Sequence, residues 1–325
     1  MPFTFVGTGS ASDKPLGAVL HFNGKVYCGC SSGNAKGFIF NPADNTFTTF
    51  TLPNTDYYPR VLLLDGKILF APLNNTSKSW LLVNEDGTYT ALNDWDFSVN
   101  GASLMRDGKV AICNTTTNKF GVFNPKTTFL ENFPNVPSVI TSGVIPNSVT
   151  LLPDGKLLLI TNNVTYPAWI YNPFNSLWEQ ISLNGLTASG DNNTGALLYD
   201  GGLAVFGSYY GLSLINIYSK KIIDVESMVG SNVLFIRICP DGDVFLVNNN
   251  TINKFHIENN IITNVGYTNL PSSQISPSGC VMLPSGKLFY CCYGDSVDNN
   301  GFVIWDSSLG TLPDEVCLSA FYNRG

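Results

Sequence analysis

Short apolar runs broken by a glycine-bearing polar turn recur seven times along this chain of 325 residues. The unit is an apolar run, an Asp-Gly-Lys type of turn and a second apolar run. Six copies read VLLLDGKILFA, SLMRDGKVAIC, TLLPDGKLLLI, LLYDGGLAVFG, ICPDGDVFLVN and VMLPSGKLFYC, and VLHFNGKVYCG is the first and most altered copy. The turn glycines Gly24, Gly66, Gly108, Gly155, Gly201, Gly242 and Gly286 are spaced 42, 42, 47, 46, 41 and 44 residues apart. Apolar runs of this length on either side of Asp-Gly read as β-hairpins. A period in the forties built from such hairpins predicts an all-β chain, a seven-bladed β-propeller of four-stranded antiparallel blades.

The fourth unit shows one blade in full. SVTLL is a strand, PDG a turn, KLLLI a second strand and TNNVTYP a longer loop; AWIYN, PFNS and LWEQISL complete it. First strands are nearly all apolar, as expected of strands packed on both sides, and fourth strands are more polar, as expected of an outer edge. Phe3-Thr4-Phe5-Val6 precedes the first unit just as Tyr89-Thr90-Ala91-Leu92 precedes the third, whereas the last unit lacks a fourth strand after Phe302-Val303-Ile304-Trp305. The N-terminal strand is therefore expected to complete the last blade and remove an open edge. The expected organisation is one domain over residues 1–325, with a closing strand within 1–8, repeats over about 17–311 and a tail over 312–325.

Tyr171-Asn172-Pro173 followed by Trp178 matches the kelch pattern of Tyr-Asp-Pro, four residues and Trp. Phe40-Asn41-Pro42 with Phe47, and Phe123-Asn124-Pro125 with Phe129, are weaker copies. With LLPDGKLLL these elements make the chain resemble kelch repeats of the galactose-oxidase type over almost its whole length. The Gly-Gly that ends the second strand in such repeats is replaced here by Cys28-Gly29-Cys30, Thr161-Asn162 or Cys291-Cys292. The resemblance implies a fold and carries no catalytic residue over.

Charged residues are only 13% of the chain, while asparagine occurs 36 times. An uncharged polar surface of this kind suits a protein packed into an assembly or exposed outside a cell. The formal net charge is −7, with seventeen Lys and Arg spread along the repeats, which argues against nucleic acid. Five lysines (Lys25, Lys67, Lys109, Lys156, Lys287) recur in the turn and are read as solvated turn residues. The N-terminus MPFTFVGTGS shows no basic or apolar signal region, and no apolar run approaches a membrane span. The eight cysteines fall mostly inside strands, where buried free thiols are expected.

Copper radical oxidases of the galactose-oxidase type need two His and two Tyr around one metal. The two histidines here, His21 on an inner strand and His256 on a third strand, do not fit such a site. Cys28, Cys30, Cys291 and Cys292 end homologous second strands, but strand alternation lets at most two converge, so no zinc is expected. Asp295 and Asp298 ahead of Gly301 read as turn chemistry, and Asp94 and Asp96 flank Trp95 in one loop. No cofactor or metal is expected.

The longer connections carry Tyr57, Tyr58, Trp95, Tyr166, Tyr209 and Tyr210 among amides and hydroxyls, a composition suited to partner contacts. With Asp295 and Asp298 they form the candidate partner-binding set. The expected function is a non-enzymatic binding or structural propeller, a phage or virus particle component located in the virion, or otherwise cytoplasmic. Its partners would be other proteins of an assembly or host glycans. Two alternatives stand beside it: a glycan hydrolase or lyase with a carboxylate site at the propeller opening, and an intracellular kelch-type adaptor.

Overall fold

The computed structural model of the chain describes residues 3–8, 10, 13–31, 35–72, 79–92, 99, 101–113, 120–132, 137, 146–161, 168–181, 194–198, 203–208, 211–228, 234–239, 241–248, 251–269, 276–293 and 301–305. Strands and turns account for their regular structure, with no helix among the described residues. A first strand, β1 (Phe3–Gly7), stands ahead of the repeats. Blade 1 follows with β2 (Pro15–Leu20), β3 (Val26–Cys30), β4 (Lys36–Asn41) and β5 (Thr46–Thr51). Blade 2 has β6 (Tyr57–Leu62), β7 (Ile68–Pro72), β8 (Leu81–Val83) and β9 (Tyr89–Ala91). Blade 3 has β10 (Gly101–Leu104), β11 (Val110–Cys113), β12 (Phe120–Asn124) and β13 (Phe129–Asn132). Blade 4 has β14 (Pro146–Leu151), β15 (Leu157–Thr161), β16 (Ala168–Asn172) and β17 (Leu177–Ile181). Blade 5 has β18 (Thr194–Leu198), β19 (Leu203–Ser208), β20 (Gly211–Asn216) and β21 (Lys221–Ser227). Blade 6 has β22 (Phe235–Ile238), β23 (Val244–Val247), β24 (Thr251–Glu258) and β25 (Ile261–Asn269). Blade 7 has β26 (Ser276–Met282), β27 (Leu288–Tyr293) and β28 (Gly301–Trp305), and its fourth strand is β1. The fold is the seven-bladed, four-stranded antiparallel propeller that the repeat predicts.

The first hairpin is one device repeated in the six blades whose turn is described. In blade 2 the Leu63 N–H donates to Lys67 O at 2.8 Å and the Gly66 N–H to Leu63 O at 3.1 Å. The Asp65 carboxylate accepts the Lys67 N–H at 3.2 Å. Gly66 has φ +84°, a left-handed conformation that strains any residue with a Cβ. This is a type I turn closed by a left-handed glycine. Blades 1, 3, 4, 6 and 7 repeat the two backbone bonds, from His21, Met105, Leu152, Cys239 and Leu283. Three turn lysines pair with the aspartate of their own turn: Lys67–Asp65 at 2.7 Å, Lys109–Asp107 at 3.2 Å and Lys156–Asp154 at 2.8 Å. These cations are thus matched locally by their own repeats.

By contacts the chain divides into two units, Met1–Ser98 with Leu270–Leu318 and Val99–Asn269 with Ser319–Gly325. The first holds blades 1, 2 and 7. Its second strand β3 is buried on both faces. Val26, Cys28 and Cys30 pack with Phe289, Cys291 and Phe302 of blade 7, while Tyr27 packs with Tyr57, Ile68 and Phe70 of blade 2. Blades 1 and 2 approach so closely that a Cβ on Gly29 would lie 1.6 Å from Tyr57 O, a backbone atom that cannot yield. The second unit holds blades 3 to 6 and follows the same rule. Leu157 and Leu159 of β15 pack toward blade 3, with Ala111 and Cys113, while Leu158 and Ile160 pack toward blade 5, with Ala204 and Ile215. Two-sided burial explains why these second strands read as unbroken apolar runs, whereas the first strands, expected to be packed on both sides, alternate buried and half-buried positions in β6, β10 and β22.

The kelch-like motif has a direct structural meaning. Tyr171 and Trp178 are cross-strand partners on β16 and β17, with ring centroids 4.7 Å apart. Asn172 between them accepts the Phe174 N–H at 3.0 Å and forms the turn. Phe40 faces Phe47 in the same register. In blade 3 the partner of Phe123 is Leu130, not Phe129, which sits opposite Asn124 and is 64% exposed. The spacing from the first aromatic to its partner is thus constant, and the pairing of Phe123 with Phe129 is corrected.

Closure is carried by β1 against β28, in the register Phe3↔Trp305 to Gly7↔Gly301. The expected tail over 312–325 lies outside the described residues. Deleting residues 1–8 removes the outer strand of blade 7 and exposes the edge of β28. The expected result is a melting temperature lowered by roughly 5–10 °C. An unchanged thermal unfolding curve would show that β1 does not hold that blade together.

Candidate functional site

Six of the eight residues in the sequence-derived partner set, Trp95, Tyr166, Tyr209, Tyr210, Asp295 and Asp298, lie outside the described residues, as do Asp94 and Asp96. The other two open β6. Tyr57 is only 1% exposed, and its hydroxyl donates to Ser79 O at 2.7 Å. It is a core residue and offers no contact surface, because every second position of β6 from Tyr57 onward is buried. Tyr58 is half-buried, with the Arg60 guanidinium 4.8 Å above its ring. In the second unit Arg237 stands in the same relation to Phe235, at 5.9 Å. Arg60, which sequence reasoning missed, is an inner-strand cation like Arg237, each at a half-buried position in the regular alternation of its strand.

A cleft of ≈ 680 Å³ opens in the first unit among the hairpin turns of blades 1 and 2, lined by His21, Phe22, Asn23, Leu64, Asp65, Gly66, Lys67, Asn84 and Glu85. His21 is the first residue after β2, one position beyond the inner strand on which the sequence placed it. Its Nδ1 accepts the Asn23 N–H at 3.1 Å, so Nε2 carries the proton given to Gly66 O at 2.8 Å. Both ring nitrogens are committed to backbone, and the imidazole ties the two turns together. A second tie runs from the Tyr27 hydroxyl to Glu85 O at 2.6 Å, and a third from Asn23 Nδ2 to Glu85 Oε1 at 3.0 Å. Burial pushes the Tyr27 hydroxyl above its usual pKa, with the Glu85 and Asp86 charges adding to that. Burial also works against ionised Asp65, but the bonds from Lys67 outweigh it and hold that carboxyl below its usual range. The rim is apolar: Phe22 is 45% and Leu64 53% exposed. The cleft thus offers an open ring and an aliphatic side chain beside amides, two carboxylates and an ammonium group, on walls that are already fixed.

A second polar cluster breaks the turn pattern in blade 6. Where five repeats have lysine after the turn glycine, this one has Asp243, which is 6% exposed. Its carboxylate is met from β24 by Lys254 Nζ at 2.6 Å and His256 Nδ1 at 2.6 Å. The His256 side chain is 49% exposed, with Nε2 3.9 Å from Glu258. The bond to Asp243 raises the His256 pKa, while the Lys254 charge opposes the rise. A half-exposed histidine oriented by a buried carboxylate has the form of a general acid–base pair.

The seven described cysteines are buried thiols, none of them in a disulfide. Of the four that end homologous second strands, Cys28 and Cys291 converge, whereas Cys292 Sγ turns to Gly301 O at 3.4 Å. No group of three or more His, Cys, Asp or Glu among the described residues is placed to hold a metal ion.

No family model and no curated protein matches the sequence. Among solved structures the chain is similar to a streptogramin B lyase, with TM-score 0.75 and 15% identity over 93% of this chain and 96% of that one. It is similar also to virginiamycin B lyase from Staphylococcus aureus, in a catalytically inactive variant with quinupristin, with TM-score 0.73 and 17% identity over 94% and 99% of the two chains. The WD40 β-propeller domain of Doa1 matches with TM-score 0.68 and 15% identity over 95% and 99%. These likenesses carry the propeller fold, and the presence of a WD40 domain means that they do not single out the kelch type. They also overturn one expectation. The chain was expected not to be an enzyme, yet the propellers it resembles include lyases.

The His256 pair predicts a titration. In the folded chain the His256 imidazole should titrate above the ordinary 6.5, and Asp243→Asn should bring it back toward that value. Because the folded pKa is raised, the stabilisation is complete below pH 6.5 and is lost as pH rises through the elevated pKa. With two histidines in the chain, NMR titration of the ring protons, assigned with His21→Gln, checks this. An unshifted His256 resonance would contradict the pairing.

Proposed function

We propose that this chain is a ligand-binding propeller that takes a glycan in the cleft at the turns of blades 1 and 2. The observation that carries the reading is the composition of that cleft. A half-exposed aromatic ring and an aliphatic side chain suit the apolar face of a sugar. Asn23, Asn84, Asp65 and Glu85 supply acceptors and donors for hydroxyl groups. The ties from His21 and Tyr27 fix the walls before binding, which reduces the ordering cost of association. Glycan-array screening followed by calorimetry tests the reading. Phe22→Ala and Glu85→Gln should each weaken binding by about tenfold, roughly 1.4 kcal/mol. Unchanged affinity in both would remove the cleft from consideration. If Trp95→Ala with Tyr209→Ala weakens binding instead, recognition belongs to the longer loops. Composition alone suggests an assembly such as a virus particle as the setting, and cofractionation with purified particles tests that.

A second reading is lyase chemistry with His256 as the proton-transfer group. It is favoured by the fold shared with streptogramin B lyase and by the His256–Asp243 pair. Incubation with quinupristin, followed by mass spectrometry, should show its conversion and a loss of conversion by at least about a hundredfold in His256→Ala. Quinupristin recovered intact would leave this chain without that substrate.

A further inference from the structure

Cys28 on β3 and Cys291 on β27 face each other across the contact between blades 1 and 7. Their Sγ atoms are 3.2 Å apart, and Cys291 Sγ is also 3.2 Å from Gly17 O. Both side chains are fully buried in one apolar cluster with Phe38, Phe40, Phe289 and Phe302. The pair joins positions 263 residues apart, between the blade of the first repeat and the blade assembled from both ends of the repeat array.

From this geometry we infer that Cys28 and Cys291 are an oxidisable dithiol whose disulfide staples the first blade to the last. A disulfide brings the sulfurs to about 2.05 Å, so closure asks for a movement of about 1 Å. Other pairings within the group are poorly placed. Cys28 and Cys30 are two apart on one extended strand, and Cys292 faces the other side of β27. A peroxide is the oxidant class that balances the reaction. In the first step one thiol sulfur bonds to a peroxide oxygen, the O–O bond breaks, a water leaves and the sulfur becomes a sulfenic acid. In the second step the other thiol sulfur displaces that oxygen, the S–S bond forms, the S–O bond breaks and a second water carries off the thiol proton. Two electrons pass from the sulfurs to the peroxide. Burial, with the bond that Cys291 donates to Cys28, holds the Cys291 thiol well above its ordinary pKa, so the reduced pair persists at neutral pH until an oxidant reaches it. Because the bond closes a long stretch of chain, it constrains the unfolded state strongly.

The test uses the full chain, oxidised with hydrogen peroxide when folded and, separately, refolded in a glutathione redox buffer so that access does not limit the outcome. Cys28 and Cys30 share one tryptic peptide, and Cys291, Cys292 and Cys317 share another. The variant Cys30→Ser with Cys292→Ser and Cys317→Ser is therefore compared with the parent. Both should lose two titratable thiols, give one cross-linked peptide and melt roughly 5 °C or more higher, with dithiothreitol reversing the change. Cys28→Ser and Cys291→Ser should each lose the cross-link. Retention of both thiols through oxidative refolding, a cross-link that persists in Cys28→Ser, or a cross-link with no gain in melting temperature would overturn the proposal.

Discussion

The structure depends on strands that have no solvent face. A second strand such as β3 or β15 sends alternate side chains into two different apolar cores, one shared with each neighbouring blade. Such a strand is stable only when both neighbours are present. Each fully buried phenylalanine or leucine on it contributes about 1.5–3 kcal/mol, an amount available only from the stack. A single blade therefore cannot exist alone, and repetition is a condition of stability. The last blade inherits the same demand. Its inner strands are buried like the others, so it needs a complete set of four, and β1 supplies the missing one.

That dependence makes the architecture readable and the chemistry hard to read. The turn glycines, the apolar runs and the unmatched strand at Phe3 to Val6 all answer to backbone geometry and two-sided burial, which repeat with the fold. The fate of a single side chain depends on its register, which one bulge can invert. Tyr57 looked like a contact residue because it follows a loop rich in polar residues, yet it begins β6 and so belongs to the core. Phe129 lies one residue short of Leu130, the partner of Phe123: on a strand, a shift of one exchanges a core partner for a solvent position.

The candidate sites share a property that the sequence did display. Each lies where a repeat departs from its own pattern. The turn of blade 1 reads His-Phe-Asn-Gly-Lys where blade 2 reads Leu-Leu-Asp-Gly-Lys, and those substitutions build the cleft. The imidazole replaces an aliphatic residue at the head of the turn and bonds across to Gly66, while Phe22 stays at the rim. Fold requirements account for the residues that repeat, so a residue that breaks the repeat and still finds specific partners is the one that calls for another explanation.

Blade 6 carries this reasoning one step further. In blades 2, 3 and 4 the turn aspartate and lysine neutralise each other within one hairpin at half-exposed positions, where such pairs contribute little. Replacing the lysine by Asp243 destroys that local match and places a carboxylate at a buried site, which is costly without partners. The compensation comes from two cations on the adjacent strand, Lys254 and His256, both within 2.6 Å. A purely structural remedy needs only one of them, since Lys254 already balances the charge. The histidine adds what the lysine lacks: a half-exposed imidazole oriented through Nδ1, with Nε2 3.9 Å from Glu258 and a pKa that the bond to Asp243 raises above its ordinary value. Stability alone explains a neutralised carboxylate; it does not explain the orientation of a second, titratable partner. That makes His256 the strongest single argument for proton chemistry in this propeller.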